Sequence, residues 1–173
     1  MTTHPEPAAH GRRLAAFFRA AEPRLWRDLA ESGAVPADHE REARAEWECL
    51  ALDACLRGLV AAGDFRDRTA EEVDEFHAAV LEDWAARGPV DSLAARRERL
   101  TARYEEYGRL ARGLEAAGAS RVSATLGETA ATHACAPAAA PAALASVFAA
   151  MHESLAEGAA TMLRDGIDGA QDA

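Results

Sequence analysis

Large apolar residues recur along this chain at a helical rhythm. Leu14, Phe17, Phe18, Ala21, Leu25 and Leu29 fall at i, i+3, i+4, i+7 spacing, which lays them along one side of a first helix starting near His10. Pro23 interrupts this pattern, so the helix is expected to kink or restart there. Gly33 and Pro36 are natural terminators. A second helix is expected from about Asp38 to Ala62, closed by Gly63, with a stripe of Leu52, Leu56 and Leu59 flanked by Cys49, Cys55 and Val60. Trp47 and Leu50 point away from that stripe. A helix that is apolar on more than one side is central in a bundle or lies at a subunit contact.

Thr69 and Glu72 have the spacing of a capping box and mark the start of a third helix. Val73, Phe76, Val80, Leu81 and Trp84 form its inner face, and Gly88-Pro89 ends it. A fourth helix is expected from Asp91 or Ser92 to about Ala117, with Leu93, Leu100, Tyr104, Tyr107, Ala111 and Leu114 as a narrow stripe. Ser120 then caps a fifth, thinly apolar helix (Val122, Leu126, Ala130) reaching about Ala134. After a Pro/Ala break, a sixth helix over about Pro141–Arg164 carries Leu144, Val147, Phe148, Met151, Leu155, Ala159 and Met162. No window alternates like a strand, and Ile167 is the sole isoleucine. The expected fold is therefore all-α, a compact antiparallel bundle of five to six helices, with one domain over residues 10–165 between flexible tails at 1–9 and 166–173.

Composition changes this picture in two ways. Alanine inflates a hydrophobic fraction of 49% while aromatics are only 6%, which favours close helix contacts seated on small side chains. All 19 basic residues are arginine, and the chain has neither lysine nor asparagine. This reads as the codon bias of a GC-rich bacterial genome and says nothing of function. The net charge of −10 argues against nucleic acid as a partner. The cluster Arg96, Arg97, Arg99 and Arg103 is interleaved with Glu98, Glu105 and Glu106, the pattern of a solvated helix face. Arg19 cuts the apolar run at Leu14–Phe18 short of a signal peptide, and no stretch is long enough to span a membrane; the expected location is cytoplasmic.

Candidate chemistry is sparse. Cys49 and Cys55 lie about 120° apart around a helix and cannot share a metal unaided, so with Cys135 they read as buried structural thiols. A di-iron bundle needs two Glu-x-x-His motifs. The chain offers Asp74-Glu75-Phe76-His77 and no second copy. His77, Glu48 and His152 are the candidate metal or ligand residues, each weighed against a plain core role with a hydrogen-bond partner. Asp53 and Arg57 form an i, i+4 pair that reads as a solvated salt bridge. Ser92, Ser123 and Ser146 have no nucleophile-elbow context, and no phosphate-binding glycine motif occurs. No catalytic residue and no cofactor are assigned, and no motif covers enough of the chain to point to a family.

Surplus apolar surface is the stronger signal. Phe17, Phe18, Trp26, Trp47 and Leu50 exceed what single stripes require, and left exposed they would mark a partner surface or homodimer seam. The sequence thus favours a non-enzymatic interaction or accessory protein acting through an apolar helical face. The alternative is a small-ligand or metal-binding bundle.

Overall fold

The computed structural model describes residues 7–63, 68–87 and 92–168. Over these residues the chain forms six α-helices and no strand: α1 (Pro7–Glu31), α2 (Glu40–Ala62), α3 (Arg68–Arg87), α4 (Leu93–Arg112), α5 (Ala119–Cys135) and α6 (Ala142–Asp168). Short 3-10 turns at Ala37–His39 and Glu115–Ala117 precede α2 and α5. The all-α bundle expected from the apolar rhythm is the fold observed.

Several boundaries differ from the sequence expectation. Helix α1 begins at Pro7, inside the segment expected to be a tail, and α6 continues to Asp168. Pro23 lies within an unbroken α1 rather than at a restart. The chain leaves that helix through Gly33, whose φ of 73° suits a residue without Cβ. Thr69 is inside α3 rather than at its cap, and Glu72 reaches across to His10 Nδ1 at 2.9 Å. The cross-helix bond takes the carboxylate that a capping box would have used. Ser92 does cap α4, accepting from the amide of Ala95. Helix α4 stops at Arg112, well before Ala117, because the chain tightens at Gly113 into the second 3-10 turn. Gly118, not Ser120, precedes α5, and the Ser120 hydroxyl instead donates to Glu153 on α6. The expected stop at Gly88-Pro89 lies outside the described residues.

Neighbours in sequence run in opposite senses, so α2 and α6 lie side by side in the same sense. Trp47 stacks on Phe148, Asp53 meets His152, and Gly58 faces Ala159. The most extensive packing joins α2 to α6, α5 to α6 and α1 to α3, and each of these pairs has a glycine at its crossing. A Cβ at Gly58 would stand 2.6 Å from the Ala156 carbonyl oxygen; at Gly127, 2.5 Å from the Ala149 amide; at Gly11, 2.6 Å from the Glu72 carbonyl oxygen. Backbone therefore approaches backbone at all three. Alanines such as Ala130, Ala131, Ala134 and Ala159 are completely buried beside these crossings.

Helix α2 is the central element. Every residue from Glu46 to Cys55 is buried, with Trp47 and Leu50 wholly enclosed. Enclosing side chains of this size contributes about 1.5–3 kcal/mol each, which is why both sides of α2 turn inward. Its buried acids are matched by arginines: Glu46 receives a two-pronged bond from Arg103 on α4 (2.6 and 2.8 Å), and Glu48 lies near Arg44. Arg44 also grips Glu22 of α1 at 2.7 Å. Among the described residues no helix is long and apolar enough to cross a membrane.

Candidate functional site

Three helices, α2, α5 and α6, each bring one buried polar residue to a common point. Asp53 interrupts the apolar run of α2, His152 sits between Phe148 and Leu155 on α6, and Ser123 lies beside Val122 on α5. The Gly58 and Gly127 crossings draw α2 and α5 close against α6 and bring these side chains within reach. Ser123 Oγ lies 2.9 Å from His152 Nδ1, and His152 Nε2 lies 3.1 Å from Asp53 Oδ2. Arg57, one turn further along α2, donates to Asp53 at 2.6 and 3.3 Å. The Asp53–Arg57 pair is thus not the solvated salt bridge expected from its spacing: Asp53 is buried, and the pair anchors a four-residue network.

Charge and hydrogen-bonding logic fix how this network is wired. Burial alone would raise the Asp53 carboxyl above its ordinary value. The hydrogen bond from His152 and the adjacent Arg57 guanidinium outweigh burial and hold it below. An ionised carboxylate can only accept, so Nε2 of His152 carries a proton directed at Asp53. In the neutral imidazole Nδ1 is then an acceptor, and the Ser123 hydroxyl donates to it.

The network forms part of the wall of a half-open cleft of about 790 Å³ between α2, α4, α5 and α6. Small and apolar side chains make up most of the remaining wall, including Leu56, Ala111, Val122 and Ala156, while Arg112, Arg164 and Glu157 stand at its charged rim. Val60 also borders this cleft. It was expected beside the buried stripe of α2, yet it is 39% exposed, and among the described residues it is the one large apolar side chain left exposed.

Comparison with family models, with curated proteins and with solved structures finds no match. The site must be read from its own geometry.

The other sequence candidates separate. His77 on α3 makes a 2.8 Å hydrogen bond to the Tyr104 hydroxyl of α4, and burial lowers its pKa from the ordinary value. Glu48 lies near Arg44, 3.5 Å away, and His152 belongs to the cleft. These three residues do not converge, and among the described residues no group of three His, Cys, Asp or Glu side chains is placed to hold a metal ion. Cys49, Cys55 and Cys135 are buried free thiols, as expected; burial, aided by Glu46, pushes Cys49 up to about 12. His133, two residues before Cys135, bonds to Glu106 of α4 at 2.8 Å.

The five apolar surface candidates are absorbed by packing. Trp47, Leu50 and Phe18 are buried in the core. Phe17 is half-buried against Gly158 of α6, and Trp26 is half-buried under the Arg44 guanidinium, 5.2 Å from its ring centroid. Sequence reasoning noted His152 and the Asp53–Arg57 pair separately and set Ser123 aside. The usable signal is a polar residue set within the apolar stretch of each of three helices, which reports a shared buried network rather than three surface positions.

Proposed function

We propose that this protein binds a small molecule with an apolar body and one hydrogen-bonding end, in the cleft between α2, α4, α5 and α6. The observation that carries the reading is Val60: the one large apolar side chain left exposed among the described residues borders a concave site that also holds the Ser123–His152–Asp53 network. A cleft of about 790 Å³ falls within the size range of small-molecule sites, which combine apolar walls with a few fixed polar groups. An apolar docking face for a protein partner has less support, because Trp47, Leu50 and Phe18 are enclosed in the core.

Titration with 1-anilinonaphthalene-8-sulfonate, an apolar fluorophore with one anionic end, tests the reading. The folded protein is expected to bind it saturably. Val60→Asp places a charge on the cleft wall at an exposed position, and is expected to weaken binding about tenfold or more. Equal affinity for the two proteins, or no saturable binding, would refute the reading.

A further inference from the structure

The cleft's polar wall has the parts of an acyl-transfer centre. From this we propose that Ser123 is a nucleophile and His152 its general base, acting on carboxylic esters whose apolar acyl chain occupies the cleft. The inference rests on the binding reading above and deepens it.

The geometry supplies the roles. Ser123 Oγ is 2.9 Å from His152 Nδ1, within proton-transfer distance, and both residues line the cleft. Asp53 at Nε2 fixes the ring and its tautomer, and Arg57 fixes Asp53, so Asp53 is a positioning residue. A purely structural hydrogen bond would satisfy the same atoms, but it would not require the chain Ser–His–Asp to end at a cleft wall. The start of α5 adds a third element. The first-turn amides of Ala119, Ser120 and Arg121 have no carbonyl four residues back within the helix, Gly118 provides no side-chain cap, and Ala119 borders the same cleft. The amides of Ala119 and Ser120 lie about one turn before Ser123, in the direction toward which a helical side chain leans, and are the donors assigned to the negative oxygen of a tetrahedral intermediate.

The step balances without a cofactor. Ser123 Oγ forms a bond to the ester carbonyl carbon while its proton passes to His152 Nδ1. The carbon–oxygen bond to the alcohol breaks, and that alcohol leaves with the proton from Nδ1. Water then attacks the Ser123 acyl ester, giving up a proton to Nδ1. The carboxylic acid departs, and the proton returns to Ser123.

A fluorophosphonate ester with an alkyl chain, followed by peptide mass mapping, tests the inference on the full-length wild-type protein. Covalent mass confined to the peptide bearing Ser123, and on Ser123 itself, is the expected result. Ser123→Ala, which keeps a good helix former at that position, should lose the label. His152→Gln should slow labelling at least ~100-fold. Asp53→Asn should lower the maximal labelling rate while leaving the half-saturating reagent concentration nearly unchanged. Wild-type protein that binds the fluorophore but takes up no label, or takes it up at another residue, overturns the nucleophile and leaves the binding site standing. Absence of fluorophore binding overturns the binding reading itself.

Discussion

Where α6 meets α2 and α5, backbone rests on backbone; where α4 meets the rest of the bundle, long polar side chains reach across. The first kind of contact is seated on Gly58 and Gly127, with no room for a single carbon at either crossing. The second adds to a few buried apolar residues, chiefly Leu100 and Tyr107, a set of polar ties: Arg103 to Glu46, Tyr104 to His77, and Glu106 to His133. Gly108 of α4 shows the contrast, because a Cβ there would meet nothing closer than the flexible Arg112 guanidinium at 3.5 Å. The cleft lies where the two regimes meet. Its floor comes from the interlocked helices, and α4 forms a wall through Gly108, Ala111 and Arg112. A bundle closed everywhere by glycine and alanine would have no such space. Helix α4 provides it by standing on side chains instead of on backbone.

The comparison breaks most directly at Gly127. Gly127→Val drives a β-branched side chain into the Ala149 backbone, which cannot turn aside as a side chain can. The expected cost is about 3–5 kcal/mol, read as a fall of roughly 10 °C or more in the thermal midpoint. A loss under about 1 kcal/mol would show that α5 and α6 can separate cheaply. A smaller and more local effect is expected at the polar ties. Glu46→Gln removes the nearer of two carboxylates paired with Arg103 and leaves Glu106 at 3.6 Å, at a cost of about 2–3 kcal/mol; this is below the range for fully enclosed pairs because Arg103 keeps that second partner and 17% exposure. Amide hydrogen exchange should accelerate in α4 and stay unchanged in α5 and α6.

Next comes an effect of pH. Asp53 has a folded pKa below its unfolded value, so its contribution is present above about pH 4 and is lost as the pH falls through the folded value. Glu22 has the opposite sign: burial raises its pKa, with Arg44 only partly opposing, so its ionisation costs stability as the pH rises. Asp53→Asn should therefore be less stable than wild type at neutral pH by about 1.5–2 kcal/mol, with the gap narrowing under acid. A gap that holds constant from neutral to strongly acidic pH would mean Asp53 is not ionised in the fold. Glu22 is present in both proteins and cancels from the difference. The smallest effect is a gain. Gly108→Ala should stabilise by about 0.5–1 kcal/mol, since it adds helix propensity in open space, whereas the same change at Gly127 should destabilise.

Much of this architecture was legible in the sequence, because large apolar residues at helical spacing fix which face of each helix turns inward. Trp47 and Leu50 illustrate the gain: lying off the main stripe of α2, they marked that helix as central. The same two residues illustrate the limit, since central position and subunit contact leave an identical sequence mark, and only the packing of Phe148 against Trp47 separates them. Helix ends were harder to read. Thr69 and Ser120 have the chemistry of caps, but Glu72 and Glu153 were drawn into bonds with His10 and Ser120 on other helices. The network was illegible as a unit because Asp53, Ser123 and His152 come from three helices and share no spacing. Glycines inside helices read as weak points of propensity, yet Gly11, Gly58 and Gly127 mark the crossings that bring those helices together.

Two-dimensional amide NMR of the protein titrated with 1-anilinonaphthalene-8-sulfonate addresses the cleft most directly. Saturable shifts should gather at Val60, Gly108, Val122 and Ala156, while amides near Gly11 and Trp84, remote from the cleft wall, stay in place. Shifts centred on Trp26 and Arg44, or none at saturating probe, would contradict the account.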